Sequence, residues 1–280
     1  MAYDSVKIKA DFPNNANKKL AAGVAVDVPV TITNTGVAPL TFFSDGRLDQ
    51  QGDISLVNLG TPDTIPLPQP AGVNPLWISP TETSKLTVTA DADQPVNLDV
   101  NYNSGEPEVY GPAVGNSASV KVSANQVSPG LWIANVGQDG PFNGPAPAGQ
   151  VTLGATSHAN LFDPGVSTNP VGNIWAAFAG VSFDSATSTA LRNRAKAGAS
   201  FLAHPATTPA KHGSGSTPPP SVGPGPVTLN PGEAVVLTVT ITPSAPAGTV
   251  VRGHIYIDDF NFFTDAGDEL IDFPYAYTVG

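Results

Sequence analysis

Cysteine is missing from all 280 residues, which removes disulfides, thiolate catalysis and thiolate metal sites together. Charge is scarce too, at 12% of residues against roughly a quarter in ordinary domains. Basic residues are the scarcer kind. Twelve Lys and Arg against 23 Asp and Glu leave a formal charge of −11 and a sequence pI near 4.5. A nucleic-acid partner needs the opposite sign, and anionic lipid repels such a surface. No apolar run could span a bilayer, so membrane insertion is not expected, and the opening "MAYDSVKIKADFPNN" has no apolar core of signal-peptide length. Helical patterning is thin. The best stretch, "ATSTALRNRAKAGA" with Arg192, Arg194 and Lys196, lacks an apolar stripe and reads as a short surface helix or coil.

What the chain does have is 40% hydrophobic residues punctuated by 28 Gly and 29 Pro. Low hydrophobicity and high charge mark disorder, and this composition has neither. Short strands joined by turns fit it better. In "VAVDVPVTITNTG", Val26, Val28, Val30 and Ile32 alternate with polar or conformationally special residues, the period of a half-buried strand. Pro29 lacks an N–H and is expected at an edge or a bulge, and Asn34 and Gly36 supply turn chemistry. Leu86, Val88 and Ala90 repeat the alternation, as do Val96, Leu98, Val100 and Tyr102, then Ala118, Val120 and Val122. The expectation is an all-β protein of two tandem antiparallel β-sandwich domains of the immunoglobulin or fibronectin-III kind.

The boundary is placed at "NQVSPG", giving a first domain over residues 1–127 and a second over 128–280. Strands of the second are expected at Val151–Thr156, Asn173–Phe178, Val235–Thr242, Val250–Asp258 and Phe273–Val279. Between them His204–Pro226, "HPATTPAKHGSGSTPPPSVGPGP", has the composition of a long flexible Pro/Gly-rich insertion. Gly23–Thr33, "GVAVDVPVTIT", echoes Gly232–Thr242, "GEAVVLTVTIT", without gaps. Two readings stay open: one core strand present in each of two related domains, or the common look of any half-buried strand after a Gly.

Motifs for chemistry are few. No G-x-S-x-G, H-E-x-x-H or phosphate-binding glycine loop occurs. "HGSGS" at His212–Ser216 lies in the Pro-rich segment, where nothing would hold a base rigid. His158, His204, His212 and His254 are scattered and read as isolated surface histidines. Trp77, Trp132 and Trp175 each adjoin aliphatics and read as buried anchors, not sugar-stacking platforms. The densest acidic stretch is "DDFNFFTDAGDE", from Asp258 to Glu269. Asp258 and Asp259 close an alternating strand, so their side chains diverge. The stretch reads as a hairpin tip of mostly solvated acids. Asp259, Asn261, Asp265 and Asp268 are its candidate calcium ligands, because oxygen donors suffice for that ion. No catalytic residue and no other cofactor is expected.

The C-terminal segment "PGEAVVLTVTITPSAPAGTVVRGHIYIDDFNFFTDAGDELIDFPYAYTVG" resembles the C-terminal β-sandwich tail of secreted actinobacterial subtilisin-like serine proteases. Gly232–Pro243, Gly248–Asp258 and Gly267–Val279 carry the resemblance. "NTGVAPLTFFSDGRL" and "GLWIANVGQDGPFNGPAPAG" look like the extracellular modules that accompany such tails. The protease's catalytic motifs are absent from the chain. The resemblance therefore implies an extracellular, non-catalytic accessory module, its signal peptide outside this sequence. Implied partners are a covalently linked protease domain, cell-wall material or a protein substrate. A polysaccharide-binding or cell-surface adhesion module is the alternative.

Overall fold

Hydrophobic alternation turns directly into paired strands in the computed structural model. It describes residues 6–10, 14–102, 105–123, 126, 130–138, 148–169, 174–180, 226–259 and 269–280. The protein is all-β, with one helix of little more than a turn among the described residues.

A first sheet has the order β1 (Val6–Ala10), β3 (Val26–Asn34), β15 (Ala234–Ile241), β13 (Val166–Asn169). Val28, Val30 and Ile32 of β3 and Leu237, Val239 and Ile241 of β15 form its buried face. Each such side chain contributes about 1.5–3 kcal/mol by leaving water. A second sheet of nine strands runs β10 (Ser117–Ser123), β7 (Lys85–Ala92), β12 (Gly149–Phe162), β4 (Leu40–Leu56), β16 (Val250–Asp259), β17 (Glu269–Val279), β2 (Asn14–Leu20). Strands β5 (Thr64–Leu67) and β14 (Val227–Leu229) add to it beside β12 and β4. All its pairs are antiparallel except β17 with β2. A third sheet orders β6 (Leu76–Ser79), β11 (Gly130–Gln138), β8 (Val96–Tyr102) and β9 (Gly105–Gly111).

Two of the alternating runs join β12 in the layers of one core. Ala118, Ala90 and Leu153 stand in cross-strand register, as do Val120, Val88 and Ala155, then Val122, Leu86 and Ser157. In the third sheet Trp132 pairs with Trp77 on one side and Tyr102 on the other, its ring 5.2 Å from that of Tyr102. The first sheet meets the second where β13 crosses β4: a Cβ on Gly46 would overlap the Val166 side chain.

The structure corrects three expectations and closes one open question. The 127/128 boundary does not divide the sheets, because β12, β15 and β16 pair with β4, β7 and β3 from before it. The two echoing segments are not equivalent strands of two domains. They lie side by side, Val26 opposite Ile241 and Thr33 opposite Ala234. Their glycines take the same left-handed turn, φ 70° at Gly23 and 82° at Gly232. The Gly23 amide donates to the Pro243 carbonyl and the Gly232 amide to that of Asn34, both at 2.8 Å, so the pair is related by a local twofold. Pro29 sits in an inner strand, one residue past the last described pair with β1, Ala10 with Val30. Finally, Asn173–Phe178 is not a strand. Ile174–Phe178 forms helix α1, whose Trp175 and Phe178 fall on one side at helical spacing, rings 5.8 Å apart edge to face.

The paired strands of the expected hairpin are present as β16 and β17. Its tip, most of the 204–226 segment and the basic stretch around Arg192 lie outside the described residues.

Candidate functional site

Phe43, Asp45 and Arg47 alternate along β4 and so share one face, while Ser44 and Gly46 face the first sheet. In β16 the same alternation puts Tyr256 and Asp258 together. The register pairs Asp45 with Tyr256 and Phe43 with Asp258, so two acids, a base and an aromatic converge. Phe162, opposite Arg47 in β12, Thr81 from the turn after β6, and Trp175 from α1 close over them. Asp45, Arg47, Thr81, Trp175 and Asp258 are all 0–1% exposed.

Arg47 organises the cluster. Its Nε donates to both oxygens of Asp45 at 3.1 and 3.2 Å, and Nη2 to Asp45 Oδ2 at 3.0 Å. Nη1 donates to the Thr81 carbonyl, and Nη2 also reaches the Thr81 hydroxyl and Asp258 Oδ2 at 3.3 Å. The guanidinium lies 4.5 Å from the Tyr256 ring centroid and 5.6 Å from that of Phe162, within cation–π range. Asp258 Oδ2 accepts further bonds from Trp175 Nε1 at 2.6 Å and Thr81 Oγ1 at 3.2 Å. Its other oxygen is buried without a hydrogen-bond partner.

Two carboxylates share one guanidinium in a dry site, and the second is the weaker partner. Burial, then the Asp45 charge, pushes the Asp258 carboxyl well above the usual carboxylate range, against Arg47, Trp175 and Thr81. Burial also raises Asp45, opposed by Arg47. For Arg47 burial works against the charge, but the two carboxylates outweigh it and its pKa rises. Beside the cluster, Glu82 takes a left-handed φ of 62°, a conformation most side chains avoid. Its carboxyl meets that of Glu269, the residue opposite Asp258 in β17. Burial first, then that hydrogen bond, lifts Glu269 to about 7. Burial raises Tyr256 to about 12, although Asn160 Nδ2 donates to its hydroxyl at 3.3 Å.

The same sheet face continues outward as half-exposed acid–histidine pairs. His254 Nδ1 contacts Asp272, its Nε2 lies 3.5 Å from Asp49, and His158 Nδ1 is 2.7 Å from Asp53. The carboxylates on His254 sit at opposite ring nitrogens, so the three groups cannot surround one ion. No group of three His, Asp or Glu among the described residues is arranged to hold a metal.

The expected calcium ligands are not brought together within the described residues: Asp259 is half-buried at the end of β16, and Asn261, Asp265 and Asp268 lie outside them. Asp258 corrects the expectation of a solvated acid. Its strand position turns it inward, toward Arg47, where a solvated residue would face out. Trp77, Trp132 and Trp175 are buried at 0, 0 and 1% exposure, as expected of anchors. Sequence reading missed Asp45, Arg47, Thr81 and Glu82, and placed Glu269 among the solvated acids of the tip, where the structure has it partly buried at the start of β17. The available signal was "FFSDGRL", where Asp45 and Arg47 occupy one face of a strand with aromatic residues before it.

No protein-family model and no curated protein matches the chain. Several solved structures share a faint likeness, among them the following two. One is titled "AvmM Catalyzes Macrocyclization in Alchivemycin A Biosynthesis", at 9% identity over 99% of this chain and 90% of that one, with a TM-score of 0.25. The other is a family 123 glycoside hydrolase from Clostridium perfringens, at 8% identity over 98% of this chain and 27% of that one, with a TM-score of 0.21. At those TM-scores neither bears on the fold or chemistry of this chain.

Proposed function

We propose that the chain is a non-catalytic extracellular accessory module, carried by a larger secreted protein of the subtilisin-like protease type. The observation that supports this best is the closed acid–base centre. A catalytic carboxyl must touch substrate, yet Asp45 and Asp258 are almost fully buried and bonded to Arg47, Thr81 and Trp175. Chemistry that looks like an active site in composition acts here as a fastener between β4, β16, the β6–β7 turn and α1.

The architecture we infer is two sandwich-like modules sharing the nine-stranded sheet, one inserted in the other. The first sheet would face β14, β16, β17 and the N-terminal half of β4. The third sheet would face β10, β7 and β12. Contacts of β13 with β4, of β8 with β7 and β10, and of β9 with β10 support it. A rigid β body of this kind suits spacing or substrate presentation for a linked enzyme.

The test is turnover by the purified chain on casein, simple esters and glycosides. No hydrolysis is expected. Reproducible turnover that Glu269→Gln or Asp258→Asn abolishes while the fold persists would overturn the proposal.

A further inference from the structure

A cleft of about 440 Å³ opens where β4, the β12–β13 turn, the β15–β16 connection and β17 meet. Unlike the Arg47 cluster, it is lined by polar side chains most of which are unused. Gln50, Ser244, Thr249, Arg252 and the Tyr277 hydroxyl line it, and none of these side chains makes a hydrogen bond or ion pair among the described residues. Tyr277 is almost wholly buried, its ring stacked on Tyr275 at 6.4 Å, so that hydroxyl is held in place with no protein partner. Burial lifts it to about 12, leaving it a neutral donor and acceptor.

The cleft's charges are mixed. Asp163 is buried at its floor, one oxygen accepting from Tyr275 Oη at 2.5 Å and the other from the Gly165 amide at 2.8 Å. Each oxygen retains a free lone pair. Asp49 stands at the rim, reached only by His254 at 3.5 Å, with the exposed Arg252 also lining the opening. An anionic ligand would meet two carboxylates, and a cationic one would meet Arg252. A ligand rich in hydroxyls meets neither penalty, because each hydroxyl donates to Asp49 or Asp163 and accepts from Arg252, Gln50 or Tyr277. Leu48 and Val251 supply apolar wall for the C–H face such a ligand also carries. The size lies within the roughly 300–1,000 Å³ of small-molecule sites.

We propose that this cleft binds a neutral sugar, of one or two rings. It goes beyond the accessory-module reading, which does not require a ligand. The experiment is a titration of the full chain with cellobiose, maltose and N,N′-diacetylchitobiose, followed by amide chemical shifts. Glucuronate and glucosamine serve as charged controls. One of the neutral disaccharides is expected to bind saturably, with shifts centred on Gln50, Arg252 and Tyr277. Tyr277→Phe and Arg252→Ala are each expected to weaken it by about tenfold or more at an unchanged melting temperature. Gln50 and Arg252 are exposed, so Gln50→Ala and Arg252→Ala test the site even where Tyr277→Phe disturbs folding. Absence of binding by all three disaccharides overturns the proposal, as does tighter binding of either charged control or affinity unchanged in the variants. Binding without hydrolysis leaves the non-catalytic reading standing, whereas hydrolysis of the bound sugar removes that reading and keeps the site.

Discussion

At the scale of single residues, Arg47 decides the sign of the buried centre. With it, Asp45 has a multiply bonded partner and Asp258 a weaker one. Removing a buried ion pair's cation strands its carboxylates, which costs about 3–5 kcal/mol. Arg47→Met should therefore destabilise the protein by that order, read from urea unfolding. Asp258→Asn should cost less, because the amide oxygen still accepts from Trp175 and Thr81 while the excess negative charge is gone. A larger loss in Asp258→Asn than in Arg47→Met would contradict this ranking. The acids near Arg47 also set a pH dependence. Glu269 is raised from 4.5 to about 7, so the folded state holds its proton more tightly than the unfolded chain. That contribution is fully present below pH 4.5 and is lost as pH rises through 7. Asp45 and Asp258, raised from 3.8, act with the same sign. The melting temperature should fall across that window, and Glu269→Gln should flatten the fall. A curve that Glu269→Gln leaves unaltered would show the carboxyl pair to be irrelevant.

At the scale of elements, the β3–β15 pair shows what local pattern conveys and what it does not. Alternation located both strands, because burying one face of a strand requires period 2 in any surroundings. The turn chemistry at Asn34 was legible too. Asn34 is fully buried, its Oδ1 accepting from the Gly36 amide at 2.9 Å and its Nδ2 donating to the Ala38 and Leu229 carbonyls at 2.8 and 2.9 Å. Asn34→Ala should cost about 1–3 kcal/mol by leaving those groups unpaired, and a loss within error would show that water replaces the amide. Partnership was not legible. Val26 and Ile241 carry no mark that one seeks the other, and closing a long loop adds little entropy per residue. Helix α1 was misread for a related reason. "IWAAF" is apolar throughout, and a short apolar run fits a strand or a helix equally until its neighbours choose.

At the scale of the molecule, strands of the first and last quarters interleave with middle ones in the first two sheets, so no single cut in the sequence separates those two sheets. That is why the boundary at 127/128 failed although the strands around it were found. The Arg47 cluster was hidden by the same cause: Arg47 and Asp258 are 211 residues apart, and only the pairing of β4 with β16 makes them neighbours. Asp258 looked like a tip residue because the hairpin was read without the strand beside it. A structural centre in such a body should stay shut until the whole molecule unfolds, while a catalytic centre must admit water and substrate in the native state. The indole N–H of Trp175, bonded to Asp258, reports which it is. Its hydrogen exchange, followed by NMR in the native protein, should be as slow as that of the Leu237 and Val239 amides and should match the global unfolding free energy from urea. Exchange of the Trp175 indole orders of magnitude faster than those amides would contradict a closed structural centre and point to an open, working site.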